Sequence, residues 1–155
     1  MKKSWNARKL FEQGYNCAQA VFCAFCEDEG IDLKTGLKLS SSFGGGMGRL
    51  REVCGAVSGM FMAAGIKYGY DSVDDKQAKA AHYKLIQELA EKFKEQNGSI
   101  ICRDLLGLNK QKDGYVPEDR TKEYYKKRPC VELVECAAGI LEEYIEECKN
   151  KKKQG

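Results

Sequence analysis

A chain of 155 residues can form one domain whose hydrophobic core needs no disulfide bonds. Hydrophobic residues make up 43% and charged residues 32% of it, which is typical of an ordinary globular protein. The formal net charge of +3 is too small to indicate a nucleic-acid-binding protein. We expect a single all-α domain over residues 1–149 and a basic disordered tail over residues 150–155.

The first half of the chain predicts three helices. Helix-forming residues dominate, only two prolines occur and alternating strand patterns are hard to find, which indicates an all-α fold. The first helix is expected over residues 4–13. Asn16 is placed to cap the second, which ends at Gly30. A weaker third helix spans about residues 32–42, and the glycine-rich segment FGGGMGR follows at residues 43–49.

The second half predicts a compact multi-helix arrangement around one central helix. Residues 53–68 form a Gly/Ala-rich helix that we expect to be buried, because each interior glycine costs about 1 kcal/mol unless tertiary packing compensates. The clearest amphipathic helix lies within residues 71–97, and a short turn follows at residues 102–106. Residues 109–128 predict a polar loop with one helical piece near its end. The last helix runs from Pro129 to about Cys148.

The sequence also predicts the compartment. The N-terminal residues MKKSWNARKLFEQG lack the apolar core of a secretory signal. The most apolar stretch, residues 54–66, is too short to span a bilayer. We therefore expect a cytoplasmic protein without membrane insertion. Because cytoplasmic thiols are normally reduced, its eight cysteines favour metal binding or redox chemistry over structural disulfides.

Four of these cysteines lie where a predicted helix begins: Cys17, Cys54, Cys102 and Cys130. A helix start presents unpaired N–H groups and the positive end of the dipole, both of which stabilise a thiolate. The thiolate is the form that attacks disulfides and binds metals. Several basic residues lie near these cysteines in sequence: Arg49, Arg51, Arg103 and Arg128. We predict that folding assembles the four cysteines into one catalytic or metal-binding site.

Three of the remaining cysteines, Cys23, Cys26 and Cys148, are predicted to be structural. Cys23 and Cys26 form a CxxC, but it lies inside a helix rather than at its start, which favours packing over redox chemistry. Cys148 lies about 27 Å from Cys130 along the last helix, at 1.5 Å per residue, so the two cannot share a small site. Cys148 lies on the apolar face of that helix and Cys136 on its glutamate-rich face.

The glycine-rich segment has two interpretations. In the first, its backbone amides approach a thiolate, cluster or anion near Cys54, so that Gly44, Gly45, Gly46 and Arg49 bind that group. In the second, it is a tight loop that needs positive φ angles. It is neither a Walker loop nor a dinucleotide fingerprint, because GK[ST] and a preceding strand are absent from the sequence pattern. We therefore expect no nucleotide cofactor.

The sequence CGAVSG begins at Cys54, with one cysteine upstream in GYNCAQAV and two downstream, the first in CRDLLG. Together with FGGGMGR, this pattern resembles the C-GCAxxG-C-C family, whose members are predicted to be redox-active. The resemblance covers nearly the whole chain and selects the same four helix-start cysteines. A similar domain occurs in split-Soret cytochromes c, but this chain lacks their CxxCH motif, so we expect no haem.

Three functions are consistent with these observations. The first is redox chemistry, in which the four cysteines exchange thiols and disulfides or hold an iron–sulfur cluster. The second is a non-catalytic zinc site with four cysteine ligands, which ranks lower because zinc modules normally use closely spaced cysteine pairs. The third is an interaction protein with inert buried cysteines. The sequence does not decide whether the protein is an enzyme, names no redox partner and leaves a homo-oligomer open.

Overall fold

The computed structural model describes residues 2–108 and 113–154, and these residues confirm the all-α prediction. They form eight right-handed helices, which we number in chain order: α1 Lys2–Glu12, α2 Cys17–Cys26, α3 Leu33–Ser40, α4 Gly55–Tyr68, α5 Lys76–Asn97, α6 Cys102–Leu105, α7 Lys122–Lys127 and α8 Cys130–Gln154. Short 3-10 turns lie at Glu27–Glu29 and Ser41–Phe43. None of the helices in these two ranges is long and apolar enough to cross a membrane.

Helix α4 occupies the centre of the molecule, as its composition predicted. It packs against α2, α5 and α8, and its residues Ala56, Val57 and Met60 are fully buried. Gly59 explains how closely α2 approaches, because a Cβ atom at this position would lie only 2.6 Å from the carbonyl oxygen of Ala18. The close contact between the α2 and α4 backbones brings the starts of both helices to the same end of the core.

Helix α5 lies within the range predicted for the amphipathic helix, whereas the end of α8 differs from the sequence prediction. Helix α5 begins at Lys76, because the Asp75 side chain caps it by accepting a hydrogen bond from Ala78 N at 2.9 Å. Helix α8 continues to Gln154, so residues 150–154, which we expected to be a disordered tail, are helical. The lysines of this last turn stabilise the helix, because their positive charges lie at the negative end of the helix dipole. Residues 149–154 also contain no proline or glycine that would end the helix.

The predicted polar loop at residues 109–128 is described only in part. Residues 109–112 lie outside the described residues. Residues 122–127 form α7, the expected helical piece, whose N-cap Thr121 accepts a hydrogen bond from Tyr124 N at 3.2 Å. The loop and α7 cover the end of the core at which α2, α4 and α8 begin, as the contacts of Arg120 and Tyr124 described below make clear.

Candidate functional site

The four predicted cysteines converge on one cavity. Cys17, Cys102 and Cys130 are the first residues of α2, α6 and α8, and Cys54 is the N-cap residue of α4. All four line a cavity of about 70 Å³. Four thiols that are far apart in sequence therefore meet at one place in the fold.

Cys17 is positioned by the start of α2. The Asn16 side chain accepts a hydrogen bond from Gln19 N at 2.9 Å, and the Gln19 side chain accepts one from Asn16 N at 3.0 Å. This capping box fixes the first turn of the helix. Gly55 lies directly against the Cys17 sulfur, and a Cβ atom at Gly55 would overlap it and lie 2.9 Å from the Phe43 carbonyl oxygen. Gly55, the first glycine of CGAVSG, is therefore required for the approach of Cys17 to Cys54.

Cys54 and Cys102 are positioned by an isolated antiparallel bridge between Val53 and Ile101. Cys54 N donates to the Ile100 carbonyl oxygen at 2.8 Å. The N–H of Cys102 donates to the carbonyl oxygen of the residue before Val53 at 2.6 Å. Because successive side chains of extended backbone alternate, both cysteines point away from the face occupied by Val53 and Ile101. The bridge thus directs the two thiols into the same cavity.

The glycine-rich segment forms a left-handed turn beneath the site. Residues 45–49 all have φ angles between +62° and +69°, so the interpretation as a loop that needs positive φ is confirmed. Gly46 is buried, and a Cβ atom there would lie 2.5 Å from Cys102 Cβ. Of the residues predicted to bind a group, Gly45 lines the cysteine cavity, whereas Gly44 and Arg49 line an adjoining pocket. Their role in binding stays a prediction.

Arg51 is the basic residue in closest contact with a cavity thiol. It is 5% exposed and donates to the Asp113 carboxylate at 2.9 Å, while its Nη1 lies 3.6 Å from Cys102 Sγ. Arg128 also lines the cavity. Arg103, although adjacent to Cys102 in sequence, turns away and pairs with Glu52 at 3.3 Å. Of the four arginines near these cysteines in sequence, Arg51 and Arg128 line the cavity, whereas Arg49 lines only the adjoining pocket and Arg103 points elsewhere.

Burial reverses the expected ionisation of the site. Burial raises the pKa of Cys130 to about 12 and that of Cys54 well above its usual value. It also raises the pKa of Cys102, although Arg51 opposes this shift. The expectation that helix starts would favour thiolates is wrong for these three cysteines, because removing the charge from water outweighs the nearby amides and guanidinium groups. Near neutral pH they are protonated thiols.

Sequence reasoning missed Arg120 and Tyr124. Arg120 donates to the carbonyl oxygens of Phe11 and Tyr15, the latter at 2.6 Å, and its Cζ lies 4.0 Å from the centre of the Phe11 ring. Tyr124 lines the cavity, and burial, with a smaller contribution from Cys130, raises the pKa of Tyr124 to about 12. A usable signal was present: Tyr124 and Arg128 are four residues apart, which places them on one side of a helical turn.

The other four cysteines lie outside the four-cysteine cavity. Cys23 and Cys26 are buried inside α2, with their sulfurs 3.1 and 2.7 Å from the place that a Cβ atom of Gly36 would occupy. Cys136 is half-buried on α8, where its thiol hydrogen-bonds to Gln96 Oε1 at 3.3 Å. Cys148, also half-buried, lies near the opposite end of α8 from Cys130.

The arrangement of the thiols does not fit a single metal ion. Within residues 2–108 and 113–154, His, Cys, Asp and Glu side chains form no group of three or more that could hold one. The cysteine sulfurs as placed are therefore not a tetrahedral zinc site. Four cysteines are the usual donor set of an iron–sulfur cluster, so the donor chemistry of the cavity suits that cofactor.

Comparison with known proteins gives one finding. The family described as putative redox-active protein (C_GCAxxG_C_C) matches residues 15–144, which include all four cavity cysteines and the CGAVSG sequence. Curated proteins and solved structures contain no match. The match covers well over half of the chain, and this protein therefore belongs to the C_GCAxxG_C_C family.

Proposed function

We propose that this protein is a cytoplasmic redox protein that exchanges thiols and disulfides at Cys17, Cys54, Cys102 and Cys130. The observation that carries the proposal is their convergence on one cavity from four separate helix starts. All four are free cysteines, the reduced form that a partner disulfide can oxidise. The family name supports redox activity and leaves its mechanism open.

The exposure of the thiols favours two pairs with different tasks. Cys17 and Cys130 are half-buried, whereas Cys54 and Cys102 are buried, at 5% and 7% exposure. A partner disulfide can therefore reach Cys17 or Cys130 first. One of these two cysteines gives up its proton as it attacks a partner sulfur, and the displaced partner sulfur takes up that proton and leaves as a thiol. A second cysteine then displaces the other partner sulfur in the same way. In total two cysteine thiols lose two electrons and two protons, and the partner disulfide becomes two thiols.

An iron–sulfur cluster is the second candidate function. The four cysteines would supply a complete set of thiolate ligands. Arg51 would donate a hydrogen bond toward the Cys102 sulfur, and such bonds to cluster sulfurs tune the reduction potential. The bound cluster would supply one-electron transfer, and the protein would supply its ligands and a mostly buried pocket. A zinc site ranks last, because the side chains are not grouped around a single ion.

The test is to purify the protein without oxygen and to measure iron, sulfide, zinc, visible absorption and reactive thiols together. Thiol exchange predicts eight thiols in the denatured reduced protein, less than one metal ion per chain, and loss of two or four thiols on treatment with a neutral disulfide. The double variant Cys136→Ser, Cys148→Ser is the control and should lose the same number. Iron and sulfide together with visible absorption would overturn thiol exchange and support the iron–sulfur cluster. Zinc at one ion per chain would overturn both of these functions.

A further inference from the structure

A second pocket adjoins the four-cysteine cavity. Its volume is about 250 Å³, and it lies between the glycine-rich turn and the segment leading to α7. The pocket and the cavity are neighbours, because six residues line both of them: Asn16, Gly45, Arg51, Arg120, Tyr124 and Arg128. We call this pocket the arginine vestibule, since Arg49, Arg51, Arg120 and Arg128 all line it.

The vestibule carries an excess of positive charge. Arg49 and Arg51 share one carboxylate, that of Asp113, at 3.8 and 2.8 Å. Arg128 pairs with Glu118 at 2.5 Å. The hydrogen bonds of Arg120 go to backbone carbonyl oxygens, which are neutral. Among the described residues, the four guanidinium groups of the lining, the lining carboxylate of Glu118 and the neighbouring carboxylate of Asp113 therefore sum to two formal positive charges.

These arginines are held in place rather than extended into solvent. The Arg120 guanidinium stacks on the Phe11 ring, and that of Arg128 lies 5.7 Å from the centre of the Tyr124 ring. The side chains of Arg49 and Arg128 are only 17% and 14% exposed. Partly buried charges are screened less by salt than fully exposed ones, and a concave site concentrates their field. The lining is therefore organised to attract an anion before any ligand arrives.

We infer that the arginine vestibule selects small anionic disulfides, those that carry carboxylate groups, and presents their sulfur–sulfur bond to the cysteine cavity. This inference rests on the proposed thiol–disulfide exchange. The carboxylates contact the guanidinium groups, and a cysteine thiolate attacks one sulfur, which releases half of the ligand as a thiolate that takes up the proton lost by the cysteine. A second cysteine displaces the other half, so the ligand leaves as two thiols and the protein holds one new disulfide.

The test compares three disulfides of similar size and different charge. They are dithiodipropionate, which is a dianion, bis-hydroxyethyl disulfide, which is neutral, and cystamine, which is a dication. The loss of protein thiols is followed with each, and each rate is divided by the rate of the same disulfide with mercaptoethanol. We expect the dianion to react about tenfold faster than the neutral disulfide and the dication to react slowest, with the difference shrinking as salt is added.

Variants at two arginine positions locate the effect. Arg49→Gln is informative because Arg49 lines the vestibule but not the cysteine cavity, whereas Arg51 and Arg128 lower the pKa of Cys130. It should reduce the dianion-to-neutral ratio at least about threefold, since steering depends on the net charge of the site, and Arg49→Lys should retain the ratio. Arg103→Gln removes a positive charge that points to Glu52 instead, and should leave the ratio as it is.

The failures of the two proposals are distinguishable. If the neutral disulfide oxidises the cavity cysteines but the dianion has no normalised advantage, the vestibule inference is overturned and thiol exchange stands. An equal loss of the ratio in Arg49→Gln and Arg103→Gln also overturns it, because the effect would then arise from overall charge. If none of the three disulfides oxidises these cysteines, both proposals fail.

Discussion

Replacing Gly55 with alanine should destabilise the protein, whereas the same change at Gly65 in the same helix should stabilise it. At Gly65 nothing lies within 4 Å of the added Cβ atom. Alanine is better than glycine inside a helix by about 1 kcal/mol, so Gly65→Ala should gain up to that amount. At Gly55 the added atom would overlap the Cys17 sulfur and lie 2.9 Å from the Phe43 carbonyl oxygen, which belongs to the backbone and cannot rotate away.

The expected difference between these two variants is the cost of overpacking. Extra atoms in a tightly packed core cost about 1–3 kcal/mol, so Gly55→Ala should be less stable than Gly65→Ala by that amount. Urea unfolding of the reduced proteins measures it. Gly59→Ala is a further control, because its Cβ would lie 2.6 Å from the Ala18 carbonyl oxygen and would destabilise the helix contact without touching a thiol. Equal stabilities of Gly55→Ala and Gly65→Ala would refute the assigned contact between Gly55 and Cys17.

Two other predictions concern ionisation. Because burial raises the pKa of Cys130 to about 12, this thiol loses its proton at a lower pH in the unfolded chain than in the folded protein. The contribution of the Cys130 thiol to the free energy of unfolding is therefore complete below about pH 9. It is lost between about pH 9 and 12, by up to about 1.4 kcal/mol per pH unit. Urea unfolding of the reduced protein at several alkaline pH values should show this fall, and Cys130→Ser should weaken it; a profile that is flat above pH 9 would contradict it. Arg51→Met should raise the pKa of Cys102 further, since the guanidinium lowers it, so alkylation of Cys102 should require a higher pH. The reverse shift would show that Arg51 does not face the Cys102 thiol.

The helices and the identity of the site could be predicted from local sequence signals. Capping residues and glycines mark where helices begin and end, so the four cysteines at helix starts were recognisable without a structure. The Gly/Ala-rich composition of α4 indicated a central buried helix, because such a helix forms only with tertiary support. The predicted end of α8 was wrong, because a run of lysines is equally compatible with a solvated tail and with a helix that the lysines stabilise through its dipole.

The electrostatics of the site could not be predicted, because they depend on contacts between distant segments. The dipole argument for thiolates ignored desolvation, which depends on the tertiary packing that buries Cys54, Cys102 and Cys130. The direction of an arginine is likewise a tertiary property: Arg103 is adjacent to Cys102 in sequence and points away, whereas Arg120 is distant in sequence and lines the cavity. Arg120 reaches the site by donating hydrogen bonds to carbonyl oxygens in the last turn of α1 and just before α2, a contact that leaves no local pattern.

The central claim is that Cys17, Cys54, Cys102 and Cys130 act as one redox site. The most direct measurement is a disulfide map, obtained by mass spectrometry of peptides from native protein that has been reduced and then oxidised with a limiting amount of a neutral disulfide. The account predicts that the new bonds join these four cysteines to one another and that Cys136 and Cys148 remain free thiols. Bonds that form instead at Cys136 or Cys148, with the four cavity thiols left reduced, would contradict it.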